Sequence, residues 1–279
     1  MRAARRKNNR RRQACCVAAL LLVGAPASAE SLSDQQRLAG DYFVGASVFL
    51  FERTVLAAFA PSDVLNGTGA DATLDAGAIV LARENADHEA GSVALQAILA
   101  WLNAWLSLEK KTPGSAAPPG FDAARRHSLA CLAYGADPEV STDLADHAAL
   151  SLDQRSACVA RYQEARKQWT EWLQPYRKSA GTPAPIRAAP EGSPPEDEPM
   201  LRLAFAPTID EADQAIADAV RENGLFQVLS DDLNATLAMP RAVTALLTQC
   251  GEARAFYNAD RGEAVLCYEM LGALVQASP

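Results

Sequence analysis

Cys250-Gly251-Glu252-Ala253-Arg254-Ala255-Phe256-Tyr257, and a little further on Val265-Leu266-Cys267-Tyr268-Glu269, form the stretch that decides how the chain ends. Two half-cystines bracket segments of β character. Residues 242–250 and 263–267 read as β-prone, with a turn around 258–262 where Asn258 and Gly262 supply turn chemistry. Residues 268–276 then lean to helix. Before this block, 201–205 reads as a short strand. Residues 209–228 read as a helix with Ala212, Ile216, Ala219 and Val220 inward, and 230–239 as another that Pro240 ends. The last part of the chain, 201–279, is therefore a small α+β lobe.

Upstream lies a break in composition. Residues 178–200 hold Pro183, Pro185, Pro190, Pro194, Pro195 and Pro199 among small and acidic residues, the composition of an extended linker. The part before it, 30–177, is helical in pattern. Val44, Val48, Phe51, Val55 and Phe59 recur at three- and four-residue steps within 31–59, until Ala60-Pro61 stops the run. Residues 71–83 read as a second helix. A third, 89–108, carries Leu95, Leu99, Leu102 and Leu106 on one face, and helical patterns resume over 122–134 and 152–173. The expected fold class is mainly α (α+β).

Residues 1–29 have a third character. Six arginines and Lys7 precede an apolar run from Ala14 to Gly24, and Ala27-Ser28-Ala29 follows. Basic region, short apolar core and small-x-small site together predict a signal peptide cleaved after Ala29. Its removal lowers the 26 Lys and Arg to 19 against an unchanged 34 Asp and Glu, so net charge moves from −8 to −15. Such a surface repels phosphate backbones, so nucleic acid is not an expected partner. After cleavage no stretch is long and apolar enough to span a bilayer, so no membrane association is expected either. The expected location is periplasmic or secreted.

Export also bears on the cysteines. Cys15 and Cys16 leave with the signal, and four remain in two local pairs, Cys131 with Cys158 and Cys250 with Cys267. Disulfides are the expectation in an oxidising compartment. Three connectivities are possible, and the local one is preferred because each pair brackets a compact unit. Each bridge would stabilise the fold by roughly 3 to 4 kcal/mol on the loop-entropy account.

A search for catalytic chemistry returns little. The chain has no G-x-S-x-G elbow, phosphate-binding loop, dinucleotide fingerprint or H-E-x-x-H. Its three histidines, His88, His127 and His147, lie on separate segments, and Ser92 stands where a second imidazole after His88 would be needed to share a helix face. Glu52 is the one acid inside an otherwise apolar helix and reads as a solvent-facing position. Asp71 and Asp75 are spaced by four and so share a helix face, a weak candidate pair for a hard cation and otherwise a solvated acidic face.

Several blocks, in order, resemble a family of secreted bacterial proteins described as putative metallopeptidases. Phe121-Asp122-Ala123-Ala124-Arg125 and Cys131-Leu132-Ala133-Tyr134-Gly135-Ala136-Asp137-Pro138 are similar to the family's L-D-x-Q-R and C-L-x-x-G-x-D-P. Arg155, Cys158, Tyr162, Trp169, Leu173 and Pro175 match its R-x-x-C-x-x-x-Y, Trp and L-x-P positions. The C-terminal block is similar to C-G-x-x-N-A-F-Y and L-C-Y-E-L, with Arg254 for the Asn and Met270 for the last Leu. The resemblance implies a helical zincin-like domain with a small disulfide-tied α+β lobe at the C-terminus.

It also implies a zinc site, and there this chain departs. Counting from Gly45 puts Arg53-Thr54-Val55-Leu56-Ala57 where H-E-x-x-H belongs, and a one-residue slip puts Glu52 to Leu56 there. Neither register holds a histidine. The family's E-E-D-x-x-D corresponds to Ala70 through Asp75, where two acids survive, and Pro119 stands near the place of a further histidine. A zinc peptidase needs the metal to activate water and a glutamate to handle its proton. The expectation is accordingly a degenerate relative with no catalytic residues and no bound metal, whose remaining work is binding a protein or peptide. The alternative is an active metal-dependent hydrolase that uses zinc or another divalent cation on Glu52, Asp71 and Asp75.

Overall fold

The computed structural model of the chain describes residues 33–85, 89–111, 119–178 and 201–278. The predicted signal peptide, nearly all of the predicted linker and His88 lie outside the described residues.

The helical part opens with α1 (Asp34–Leu56), started by a reciprocal capping box between Ser33 and Gln36. A short α2 (Ser62–Leu65) leads to α3 (Ala70–Glu84), followed by α4 (Glu89–Lys111), α5 (Ala123–Ala136), a short α6 (Thr142–His147) and α7 (Leu152–Leu173). The 3-10 turn Gln174–Tyr176 closes it. Periodicity placed the five long helices correctly, with α7 over the predicted span. The two short helices were not anticipated, because four to six residues are too few to show a period.

Helix α1 runs through the middle of the molecule. From Gly45 to Leu56 each of its residues is buried, because neighbours cover it on every side. Its closest approach is to α4. A Cβ on Gly45 would collide with the Ala97 carbonyl and the Trp101 side chain, so only glycine permits this contact. Beside it Phe49, Trp101, Trp105 and Phe121 form an aromatic cluster with centroids 5.2 to 6.1 Å apart. Helix α7 is seated on α3 in a similar way: the Trp169 indole fills the space above Gly77 and donates to the Thr73 carbonyl at 3.0 Å.

The C-terminal part is a four-stranded sheet with three helices. Strands β1 (Leu201–Phe205), β2 (Val243–Thr248), β3 (Ala255–Asn258) and β4 (Glu263–Cys267) lie in the order β1-β2-β4-β3. The pairs β1·β2 and β2·β4 are parallel, and β3·β4 is antiparallel. Helices α8 (Glu211–Glu222) and α9 (Leu225–Thr236) connect β1 to β2, and α10 (Tyr268–Ala277) follows β4. Asn234 on α9 binds both the Leu201 N–H and its carbonyl at the start of β1.

Three expectations are corrected here. The predicted helix over 209–228 is two helices, broken at Gly224, whose φ of +68° no helix tolerates. The predicted helix over 230–239 is the second half of α9. The segment 255–258, read as part of a connection, is a strand: it forms the hairpin with β4, while β2 lies on β4's other side in parallel. Its short length and intermediate burial give it no alternation to read.

Both parts share one buried apolar cluster. Helix α1 touches β2, β3, β4, α9 and α10 as well as α3 and α4, and Phe51 meets Phe226 of α9 at 5.4 Å. The disulfides are Cys131–Cys158, joining α5 to α7, and Cys250–Cys267, with Cα separations of 5.0 and 5.6 Å. Among the described residues no helix is long and apolar enough to cross a membrane.

Candidate functional site

The site begins with a buried arginine. Arg53 lies in the last turn of α1, its side chain only 8% exposed, and it projects toward α3. Its Nε donates to Asp75 Oδ1 at 2.8 Å, and its Nη2 donates to Asp71 Oδ1. Asp71 and Asp75 are one helical turn apart on α3, so one guanidinium reaches both. Asp75 is 4% exposed, while Asp71 stands at the rim.

A second guanidinium completes the group. Arg125 of α5 donates from Nε to Asp75 Oδ2 at 2.7 Å and from Nη2 to Asp75 Oδ1 at 2.6 Å, a bidentate pairing. Its Nη1 reaches the Gly120 carbonyl at 2.8 Å, and its Cζ lies 3.8 Å from the Phe121 ring centroid. Local chemistry fixes this pose. Asp122 caps α5 by accepting the Arg125 N–H at 2.8 Å, which starts the helix so that Arg125 faces α3. The four side chains carry two positive and two negative charges and balance.

The residues do not fit a zinc ion. Zinc takes imidazole, thiolate or carboxylate donors. At this position Asp75 already accepts three N–H donors from two arginines, and Asp71 Oδ1 is taken by Arg53. Thr54 donates its hydroxyl to the Leu50 carbonyl at 2.6 Å within its own helix, and Ala57 is buried with nothing to offer a metal. A cation already occupies the acidic pair, and it is a side chain.

The structure brings Arg53, Asp71 and Asp75 together and leaves Glu52 apart. Glu52 is buried, which corrects its reading as a solvent-facing residue: α1 is covered on the side where an amphipathic helix would meet water. Burial pushes its carboxyl from an ordinary 4.5 up to about 8, and the Asp232 carboxylate on α9 adds to the effect. Its Oε2 has no hydrogen-bond partner among the described residues.

His127 and His147 line one small cavity of about 210 Å³ with Glu109 and Arg126, but they form no metal-ligand group among the described residues. His127 is exposed, and His147 Nδ1 lies 3.2 Å from Asn103 Oδ1. Among the described residues the one grouping of possible metal ligands is Cys250, Cys267 and Glu269, but its two sulfurs are joined in a disulfide. The Glu269 carboxylate there accepts the Cys250 and Gly251 N–H groups. Arg125 is the functional residue that sequence reasoning passed over, noted only as the end of a motif. The available signal was a count of charges: Arg53, in an apolar helix, requires a buried acid, and the acid requires a second cation.

Comparison with known proteins adds the relationship. A family model, DUF4344, described as “Putative metallopeptidase”, matches residues 65–173 and 205–278. The match takes in Asp71, Asp75, Arg125 and all four disulfide cysteines, and begins after the helix that carries Arg53. No curated protein matches the chain, and no solved structure does.

Proposed function

This chain belongs to the DUF4344 family, described as “Putative metallopeptidase”, and on that premise we propose that it is an exported member whose metal position is filled by Arg53, which has no peptidase activity and works by binding a protein or peptide. The observation that carries the reading is the Arg53–Asp75–Arg125 pairing. A peptidase of this type needs a Lewis acid and a base at the same spot. Here a guanidinium, which does not deprotonate and holds no water to activate, stands against the acids instead. The two disulfides support export, since such bonds persist in oxidising compartments.

Support for a binding role comes from what surrounds the pairing. The family model matches residues 65–173 and 205–278, so the family's architecture is kept in the segments that carry Asp75 and Arg125, the partners of Arg53. The alternative, a divalent cation on Glu52, Asp71 and Asp75, finds its donors dispersed. Asp75 already accepts three N–H donors from two arginines, and Glu52 is buried apart from them, within the electrostatic influence of Asp232 on α9.

The test is metal content of residues 30–279 by plasma mass spectrometry, after dialysis and after zinc loading, with cleavage of a casein substrate followed alongside. The expected outcome is less than a tenth of an equivalent of zinc in both samples and no cleavage above buffer. Near-stoichiometric zinc with cleavage that rises on loading would overturn the proposal.

A further inference from the structure

The end of the molecule away from Arg53 holds a different arrangement. Where α3 finishes, a groove of about 580 Å³ opens between α3, the C-terminus of α5, α7 and the 3-10 turn. Its walls carry Arg83, Glu84, Tyr162, Arg166, Thr170 and Arg177. The size is that of small-molecule pockets, roughly 300 to 1,000 Å³. Three guanidiniums in one concavity stand out in a chain whose formal charge is −8.

The protein leaves much of their capacity unspent. Glu84 is the central acceptor: Oε1 takes the Thr170 hydroxyl at 3.0 Å and Arg166 Nε at 3.4 Å, and Oε2 takes Arg177 Nη2. Arg83 Nε meets the Ala136 carbonyl at 3.3 Å and lies 3.6 Å from Asp137 Oδ2. Each guanidinium has five N–H donors. Among the described residues the Nη groups of Arg83 and Arg166, and Nε and Nη1 of Arg177, have no protein acceptor. Glu84 and Asp137 neutralise two of the three charges, so one positive charge remains. Arg166 is also the most accessible of the three, with its side chain 53% exposed.

We propose that this groove binds a small oxyanion, a carboxylate- or phosphate-bearing molecule held in bidentate fashion by Arg166 and Arg177 with Arg83 opposite. Planar guanidinium forks match the paired oxygens of both groups. Glu84 positions Arg166 and Arg177, and its negative charge limits affinity. The site is independent of the Arg53 position, because Glu84 and Asp75 lie more than two turns apart on α3.

Calorimetric titration of residues 30–279 with citrate and with inorganic phosphate, at ionic strength matched with sodium chloride, tests the assignment. Saturable binding of at least one anion is expected. Binding by citrate alone assigns carboxylates, and binding by phosphate alone assigns phosphate. Arg166→Ala should weaken it about tenfold or more, the loss of one charge-assisted contact. Glu84→Gln should tighten it several-fold, with circular dichroism confirming that both variants fold. If the arginines serve only as counter-ions to Glu84, neither anion binds beyond the chloride control, and the proposal fails. Saturable binding unchanged by Arg166→Ala also refutes it, since the anion then sits elsewhere.

Discussion

Glu52 and Arg53 are neighbours in sequence with opposite fates, since successive helix residues point about 100° apart. Arg53 finds two carboxylates, and Glu52 finds an apolar wall and a distant acid. A carboxyl with its folded value near 8 and its unfolded value near 4.5 binds more protons when folded over that interval. Stability is therefore full below about pH 4.5 and falls as pH rises toward 8. At 1.36 kcal/mol per unit the whole loss is on the order of 5 kcal/mol. Glu52→Gln should flatten urea-derived stability between pH 6 and 8 and be the more stable protein at pH 8. Parallel pH profiles for the two proteins would contradict the burial argument. Asp213, pushed up to about 6 by burial and by Glu269 and Asp210, adds a slope of the same sign at lower pH, which the variant retains. Asp75→Asn should cost about 3 to 5 kcal/mol in the same denaturation experiment, because it leaves two guanidiniums facing each other.

At the scale of elements, α1 and α3 form a scaffold whose spacing suits a cation between them. Position 53 lies in the last turn of α1 and position 57 is its C-cap, still with helical backbone angles, so the two stand four residues apart as two imidazole ligands on a helix do. The combined variant Arg53→His, Thr54→Glu, Ala57→His should gain a zinc-dependent rise in melting temperature that the parent lacks. Equal melting curves with and without zinc would show that Arg125 still saturates Asp75. The helices themselves were legible in the sequence because their apolar residues repeat over about four to six turns. The site was legible only in part. Asp71 and Asp75 declared a shared face by their spacing, but nothing local to Arg125 says that it closes on α3, fifty residues upstream. The break at Gly224 and the strand 255–258 escaped for the opposite reason: one depends on a single φ and the other on pairing across the sheet.

For the whole molecule, what matters is that α1 serves two layers. The sheet and α10 rest on it from one side and α3 and α4 from another, within one continuous apolar cluster. Calorimetry should show a single cooperative transition, and the segment 201–279 expressed alone should lack a folded circular dichroism spectrum. Two resolved transitions would mean that the two parts hold separately. The guanidinium between α1 and α3 has a last consequence at this scale. A protein folded around a bound ion is only as stable as the ion's free concentration allows. Here the cation is covalently part of the chain, so chelators cannot strip it and competing metals cannot exchange it. Folding at this position needs no supply from the surroundings, whatever compartment the chain enters.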